Sequence, residues 1–490
     1  METNDPRLTS TSVQLSPSGT PGYTHAKALT EESAKRTSSL LTLNHSLYHT
    51  VWKASFHNHI VHHLLALWAL GASPDEIQHM WDFNQPYQAP IERYHEDGSA
   101  NLKFKDLEDP TVFDQCLGNG DYYADFLRFF EGKIAEQGMQ GVIKEYVLKG
   151  DERANDIFCR MYTDLVHPMI HLGCAIEFQQ PSLAAEALAG ACVHDNWPKV
   201  FLLPTEEGVQ LKTSVPSRSL LEILESLRGD PDIVSGVKSS DPFNKIPDGF
   251  LKRVSGRQLV PYLSQFRVEP TPDDLQRKMA EMMFTGAYIM GAAQRPGKRE
   301  AIDFVLLHSV TLSVFYPAIM AQIWLSNHDK ARLIEAKARV DAVMYAGCGC
   351  PALFPERITG YVPQHVEDGW PELFQRSIVY RDEGHAAKLI RALFSVEELT
   401  EGVPNFPIAK KDIIKIAHMA MDSIENVFET KDHKMTKDVA DSVIQRIGHG
   451  GEMVVDNMIR WVFYGGLETS WDYVPDLEIT VAEPHKANKP

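Results

Sequence analysis

Along most of this chain apolar residues recur three and four positions apart, the spacing that puts them on one face of a helix. The clearest stretch is FHNHIVHHLLALWALGAS, where Phe56, Ile60, Val61, Leu64, Leu65, Leu67 and Trp68 keep helical rather than alternating order. Gly71 suits the position that ends a helix, and Ser73, Pro74 and Glu76 read as the N-cap, first turn and capping-box acid of the next one. The same spacing predicts helices over 38–48, 52–70, 74–82, 121–131, 141–148 and 155–165, a helix that starts at Pro168, and one capped by Ser182 that ends near His194. Further helices are predicted from a Thr271 cap, then over 299–325, 329–345, 372–393, 411–428 and 439–463. Strand signals are few and no solenoid repeat is visible. The expected fold is mainly α, one large helical domain over 31–475. Within it, 205–270 is richer in Pro, Gly, Ser and Asp and reads as a partly irregular insertion with short strands. Residues 1–30 lack an apolar run and read as a disordered lead, 476–490 as a tail, and the loop over 84–99 as a pocket wall or a surface crossing.

Composition narrows the class. The chain has 490 residues, 43% hydrophobic and 23% charged, which is ordinary globular composition. A net charge of −18 argues against nucleic acid or an anionic membrane as the main partner. The apolar stretch 301–325 is interrupted by Asp303, His308 and Pro317, so it reads as a buried helix pair and not a membrane span. Six scattered cysteines without zinc spacing suit a reducing compartment, and no secretory signal is visible, so the expected location is cytoplasmic. The oligomeric state is not legible. Walker A, GxSxG and kinase signatures are absent. Gly347-Cys-Gly-Cys-Pro-Ala nominally fits a dinucleotide fingerprint, but it follows a predicted helix and carries Pro351, so the strand–turn–helix context is missing.

The candidate chemistry lies in the histidines. His57, His59, His62 and His63 fall within seven residues, and on a continuous helix His59 shares a face with His62 and His63. Imidazoles one turn apart make a metal-ligand pair, although HExxH is absent. His167 and His171 repeat the i, i+4 spacing, with His167 at the cap of its helix if that helix starts at Pro168. His308 stands alone among apolar neighbours. His385 and Lys388 share a face in RDEGHAAKLIRAL. The plain alternative is core histidines and a lysine that snorkels or pairs with Asp382 or Glu383. Yet a buried imidazole needs a partner, and a metal is one. A buried lysine loses its proton more easily, and the neutral amine takes up carbon dioxide to give a carbamate, a carboxylate-like ligand.

Taken together, NHIVHHLLALWALGAS, HPMIHLGCAIEF with the following AEALAGACVH, DFVLLHSVT and DEGHAAKLIRAL resemble the questin oxidase-like family. Its members are fungal oxidases of aromatic polyketide biosynthesis, the aflatoxin pathway included, and the resemblance runs from about His45 to Trp461. It implies oxidative opening of an anthraquinone or related ring, described both as an NADPH-dependent Baeyer–Villiger type oxidation and as an iron-dependent dioxygenation. The iron version implies a centre of several histidines and a carboxylated lysine. The lysine maps to Lys388, the histidines to some of His59, His63, His167, His171 and His308. His385 is then a catalytic group, either a further ligand or one that orients the carbamate.

Dioxygen is a triplet and needs a flavin, a metal or a substrate radical to attack closed-shell organics. The chain offers no flavin fold, and imidazole suits iron, with zinc and manganese as alternatives. The expectation is an Fe(II) oxygenase that takes dioxygen and an aromatic polyketide. Its pocket walls would come from Trp68, Phe178, Phe304, Phe315 and Tyr316. The competing readings are a metal-free NADPH oxidase with acid–base histidines, and a helical protein that binds polyketides without chemistry.

Overall fold

A computed structural model describes residues 9–52, 56–91, 104–211, 217–400, 403–427 and 459–477, with positions 444, 445 and 455. Helices dominate it. The only sheet among these residues is a two-stranded antiparallel hairpin, Val51–Trp52 with Phe56–His57. The architecture is mainly α, as the periodicity predicts. Side-chain caps set many boundaries. Thr30 caps Glu31–Leu47, Ser73 with Glu76 forms a capping box on Pro74–Asn84, and Thr271 caps Pro272–Ala292. Asp303 accepts from the backbone N–H groups of Val305 and Leu306 and so starts Phe304–Ser313.

Several expectations change. The helix over 52–70 does not form whole: Val51–Trp52 pairs with Phe56–His57, and the helix is Ile60–Ala69 with His59 as its N-cap. Asn58 is the reason. Its side chain accepts from Ile60 N at 3.0 Å and donates to Asn44 at 2.9 Å, and its own N–H bonds Thr50 O. Such local bonding competes with helix continuation. His59 therefore does not lie on a regular helix face with His62 and His63. The helices over 121–131 and 141–148 merge into Tyr123–Ile143, kinked at Gly138 (φ 76°), followed by a π turn.

The stretch over 205–270 is more regular than its composition suggests, and it shows no strand among the described residues. It contains Leu220–Arg228, Pro231–Val234, Ile246–Phe250 and Gly256–Leu263. Leu220, Ile223, Leu224, Leu227, Phe250, Leu259 and Leu263 join the main core, so a helical apolar spacing prevails over the Pro and Gly between the helices. From residue 9 the N-terminal lead is ordered, against expectation. Val13 and Leu15 are buried, Gln180 brackets the backbone of Gln14 through its N–H (2.7 Å) and its carbonyl (2.9 Å), and Tyr23 N donates to Glu177 at 2.7 Å. Tertiary partners satisfy this backbone where secondary structure does not. Most of the helix over 439–463, the loop from 92 onward and the tail from 478 lie outside the described residues. Among the described residues no helix is long and apolar enough to cross a membrane.

Four histidine-bearing helices meet in the core. Ile60–Ala69 and Phe304–Ser313 each pack against both Thr163–Glu177 and His385–Leu399. The approach is close: a Cβ on Gly173 would lie 2.4 Å from Phe315 Cγ, so only glycine lets that helix crossing form.

Candidate functional site

Each of those four helices brings histidine to one buried place. His59, His167 and His385 offer ligand atoms that all lie within 4.8 Å of one another. His308 joins them, its ring centroid 4.8 Å from His167 and 5.4 Å from His385. Lys388 sits one turn after His385, 5% exposed, and Nζ finds no hydrogen-bond partner among the described residues.

Tautomers follow from the backbone. His167 Nδ1 lies 2.6 Å from Asp164 O and His308 Nδ1 2.7 Å from Phe304 O, so each donates there and leaves a lone pair on Nε2. His59 Nδ1 lies 3.2 Å from the Glu383 carboxylate, whose charge favours the proton on that side although the pair is off the line of a hydrogen bond. The lone pairs of His59 Nε2 and His167 Nε2 then face each other at 2.8 Å. Two lone pairs at that distance repel unless a proton or a metal cation lies between them. His308 Nε2 and His385 Nε2 are likewise buried and without partners among the described residues. This donor set fits a divalent metal.

Electrostatics favour the ligand forms. Burial, then the Lys388 charge, hold His59 and His385 well below the usual imidazole range, and the same two causes lower His308 to about 3. These imidazoles are neutral at pH 7. Burial lowers Lys388 from 10.5 to about 8, with Asp382 and Glu383 only partly opposing it. A small enclosed cavity of about 10 Å³, room for roughly one water, lies against Lys388, His62, Cys174 and Arg391.

The other histidines have different partners. His63, expected as a ligand, turns to Asn84 (Nδ1 to Nδ2, 3.4 Å) and packs on Gly384, where a Cβ would lie 2.5 Å from its ring. Gly384 (φ 90°) lets the chain turn into the His385 helix at that contact. His171, also expected as a ligand, bonds Glu186 at 2.8 Å and His62 at 3.2 Å. Glu186 in turn bonds His45 at 2.6 Å, and His45 reaches Glu131 at 2.8 Å. His171 thus belongs to a buried chain of hydrogen bonds that ends at His62 beside the cavity. The i, i+4 pairs hid this division, because spacing along one helix says nothing of what faces it. Glu186, His45 and His194 carried no spacing signal at all.

Of the aromatic residues expected as walls, Phe304 lies 4.7 Å from His385 and Phe315 lines the small cavity. Trp68 packs on Phe178 and the Tyr316 hydroxyl donates to Leu333 O at 3.0 Å, which are structural roles. A wall that periodicity did not mark is Trp461, with its ring 6.3 Å from His385. Trp461 also lines a larger cavity of about 390 Å³ with Tyr473, Tyr361 and Arg460.

The pattern of the questin oxidase-like family matches residues 56–393, a span that holds all four histidines and Lys388. Over 471 residues the chain is 46% identical to "Oxidoreductase AflY" of Aspergillus parasiticus, covering 95% of this chain and 94% of that one. It is 37% identical over 401 residues to "Baeyer-Villiger oxidase ptaJ" of Pestalotiopsis fici, covering 80% and 88%. It is 34% identical over 423 residues to "Questin oxidase" of Aspergillus terreus, covering 85% and 93%. A family pattern over most of the chain, and relatives aligned nearly end to end, establish that this chain belongs to the questin oxidase-like family and is an oxidoreductase.

Proposed function

We propose that this chain opens a ring of an anthraquinone-type polyketide with dioxygen, at a non-haem iron centre held by His59, His167, His308, His385 and a carboxylated Lys388. The observation that carries the reading is the convergence of buried donor atoms without partners among the described residues: His308 Nε2, His385 Nε2 and Lys388 Nζ, beside the facing pair His59 Nε2 and His167 Nε2. A buried polar atom left unpaired is destabilising, so their gathering in one place calls for a shared partner. Iron bound there supplies the redox chemistry that lets triplet dioxygen react with a closed-shell ring.

The chain's own residues do the rest. The carbonyls of Asp164 and Phe304 hold the Nδ1 protons of His167 and His308 and aim Nε2 inward. Lys388, with its proton affinity lowered by burial, supplies the neutral amine. Its nitrogen bonds the carbon of carbon dioxide and releases one proton, which leaves a singly negative carbamate. Phe304 and Trp461 beside His385 offer flat apolar faces that suit a fused aromatic ring. The cavity on the Trp461 side is of small-molecule size. The substrate class is supported by the family, one of whose members is named questin oxidase.

The test is elemental analysis with oxygen uptake on an anthraquinone, with and without NADPH. Wild-type protein is expected to hold iron and consume oxygen. Lys388→Arg, which keeps the charge but forms no carbamate, is expected to lose both. Full activity in that variant with iron still bound would sink the proposal. Activity in iron-free wild type that requires NADPH would point to the metal-free Baeyer–Villiger reading instead.

A further inference from the structure

A second group of ligating side chains stands behind His167 and takes no part in the centre proposed above. His57, Asp164 and His194 place ligand atoms within 4.8 Å of one another. They come from three elements: the hairpin strand Phe56–His57, the start of Thr163–Glu177, and the C-cap of Pro181–Val193. Such a convergence of distant segments is not explained by any one helix.

We propose that His57, Asp164 and His194 form a second, structural cation site for a divalent first-row transition ion. His194 is the decisive residue. It is 4% exposed, and its Nε2 meets no hydrogen-bond partner among the described residues, although the Asp164 carboxylate is close by. Among the described residues the Asp164 carboxylate has one hydrogen bond, to His57 Nε2 at 2.9 Å. A buried imidazole lone pair beside a half-buried carboxylate is an arrangement that a cation completes. A neutral imidazole is the form that ligates. Two imidazoles and one carboxylate are a donor set shared by zinc, iron(II) and manganese.

The site's position gives it a task. Asp164, Leu165 and Val166 all have positive φ (44°, 53° and 62°), a left-handed run that side chains with a Cβ disfavour. That turn presents Asp164 O to His167 Nδ1, and the His57 ring stacks on His167 at 4.1 Å. An ion on the Asp164 carboxylate clips the strained turn in place. Through the same residue's carbonyl it fixes the ring of His167. His57, Asp164 and His194 are positioning residues on this account.

The second site does not depend on the iron centre, and one experiment separates them. Full-length protein is stripped with a chelator and reloaded with Co²⁺, bound cobalt is counted per chain, and anomalous scattering locates it in crystals. Wild type is expected to show a peak between His57, Asp164 and His194. Asp164→Asn and His194→Gln should each lower the count by one ion, while His385→Ala removes a different ion and leaves that peak. If only the Asp164 and His194 variants lose cobalt, the second site stands and the centre at His385 falls. Cobalt content equal to wild type in both variants, or wild-type crystals without a peak at these residues, overturns the inference. The wild-type crystal decides even if a variant fails to fold.

Discussion

Replacing Lys388 with Met is expected to stabilise the metal-free protein while abolishing its activity. Methionine keeps the unbranched stem and removes the charge. In the folded chain burial lowers Lys388 from 10.5 to about 8. At about 1.4 kcal/mol for each tenfold change in proton affinity, that drop corresponds to about 3 kcal/mol of strain on the charged form. The sign follows from linkage. Below about pH 8 both folded and unfolded chains hold the proton, so the full penalty falls on the folded state. Between about 8 and 10.5 the unfolded chain keeps its proton and the folded chain releases it, so wild-type stability rises with pH across that window. Lys388→Met has no such group. Its advantage should be about 2–3 kcal/mol at pH 7 and should fade toward pH 10.5. The assay is urea unfolding of chelator-treated protein in carbon-dioxide-free buffer at several pH values. Iron and carbon dioxide should reverse the order, because an ion at 1,000 times its Kd adds about 4.1 kcal/mol to the wild type alone, more than the variant's advantage. A Met variant no more stable than wild type at pH 7, or a gap that does not narrow with rising pH, would refute the reasoning.

Other expectations rest on single contacts. Glu186→Gln removes the buried carboxylate that bonds His45 and His171, leaves His45 with less of the charge that keeps it protonated, and should cost about 3–5 kcal/mol in urea unfolding at pH 7. His45 is raised to about 9 because its hydrogen bonds and charge interactions with Glu131 and Glu186 outweigh burial. That contribution is complete below about pH 6.5 and is lost as pH rises through about 9, so Glu186→Gln should narrow the difference in stability between pH 6 and pH 9.5, as read from unfolding midpoints. Gly384→Ala places a Cβ 2.5 Å from His63 at φ 90° and should cost at least about 1–3 kcal/mol. It should also weaken iron binding through His385, checked by metal titration, whereas Ala at Gly150, with a positive φ but open space, should leave iron affinity unchanged.

The chain's periodicity alone determined that it is mainly helical, and its caps at Ser73 and Thr271 are legible because capping is a local exchange between neighbouring residues. Apolar flanks marked His308 and Lys388 as groups that would be buried, since burial of a helix face follows from its own residues. Asn58, which ends the hairpin, could not be weighed against the apolar run after it, because its partners Asn44 and Thr50 come from another segment. Likewise Val13 and Leu15 make too short a signal to predict an ordered lead, and the partners that hold it, Gln180 and Glu177, lie more than 150 positions away.

Only the tertiary structure decided which histidines meet. His63 and His171 have the same helical spacing as His59 and His167, yet one turns to Asn84 and the other to Glu186. His385, expected as either a further ligand or a group that orients the carbamate, stands among the candidate ligands with His59 and His167. Spacing along a helix gives the direction of a side chain relative to its own axis. What it meets depends on how four helices cross, and the crossing is set by contacts such as Gly173 on Phe315 and Gly384 on His63, between residues far apart in the chain.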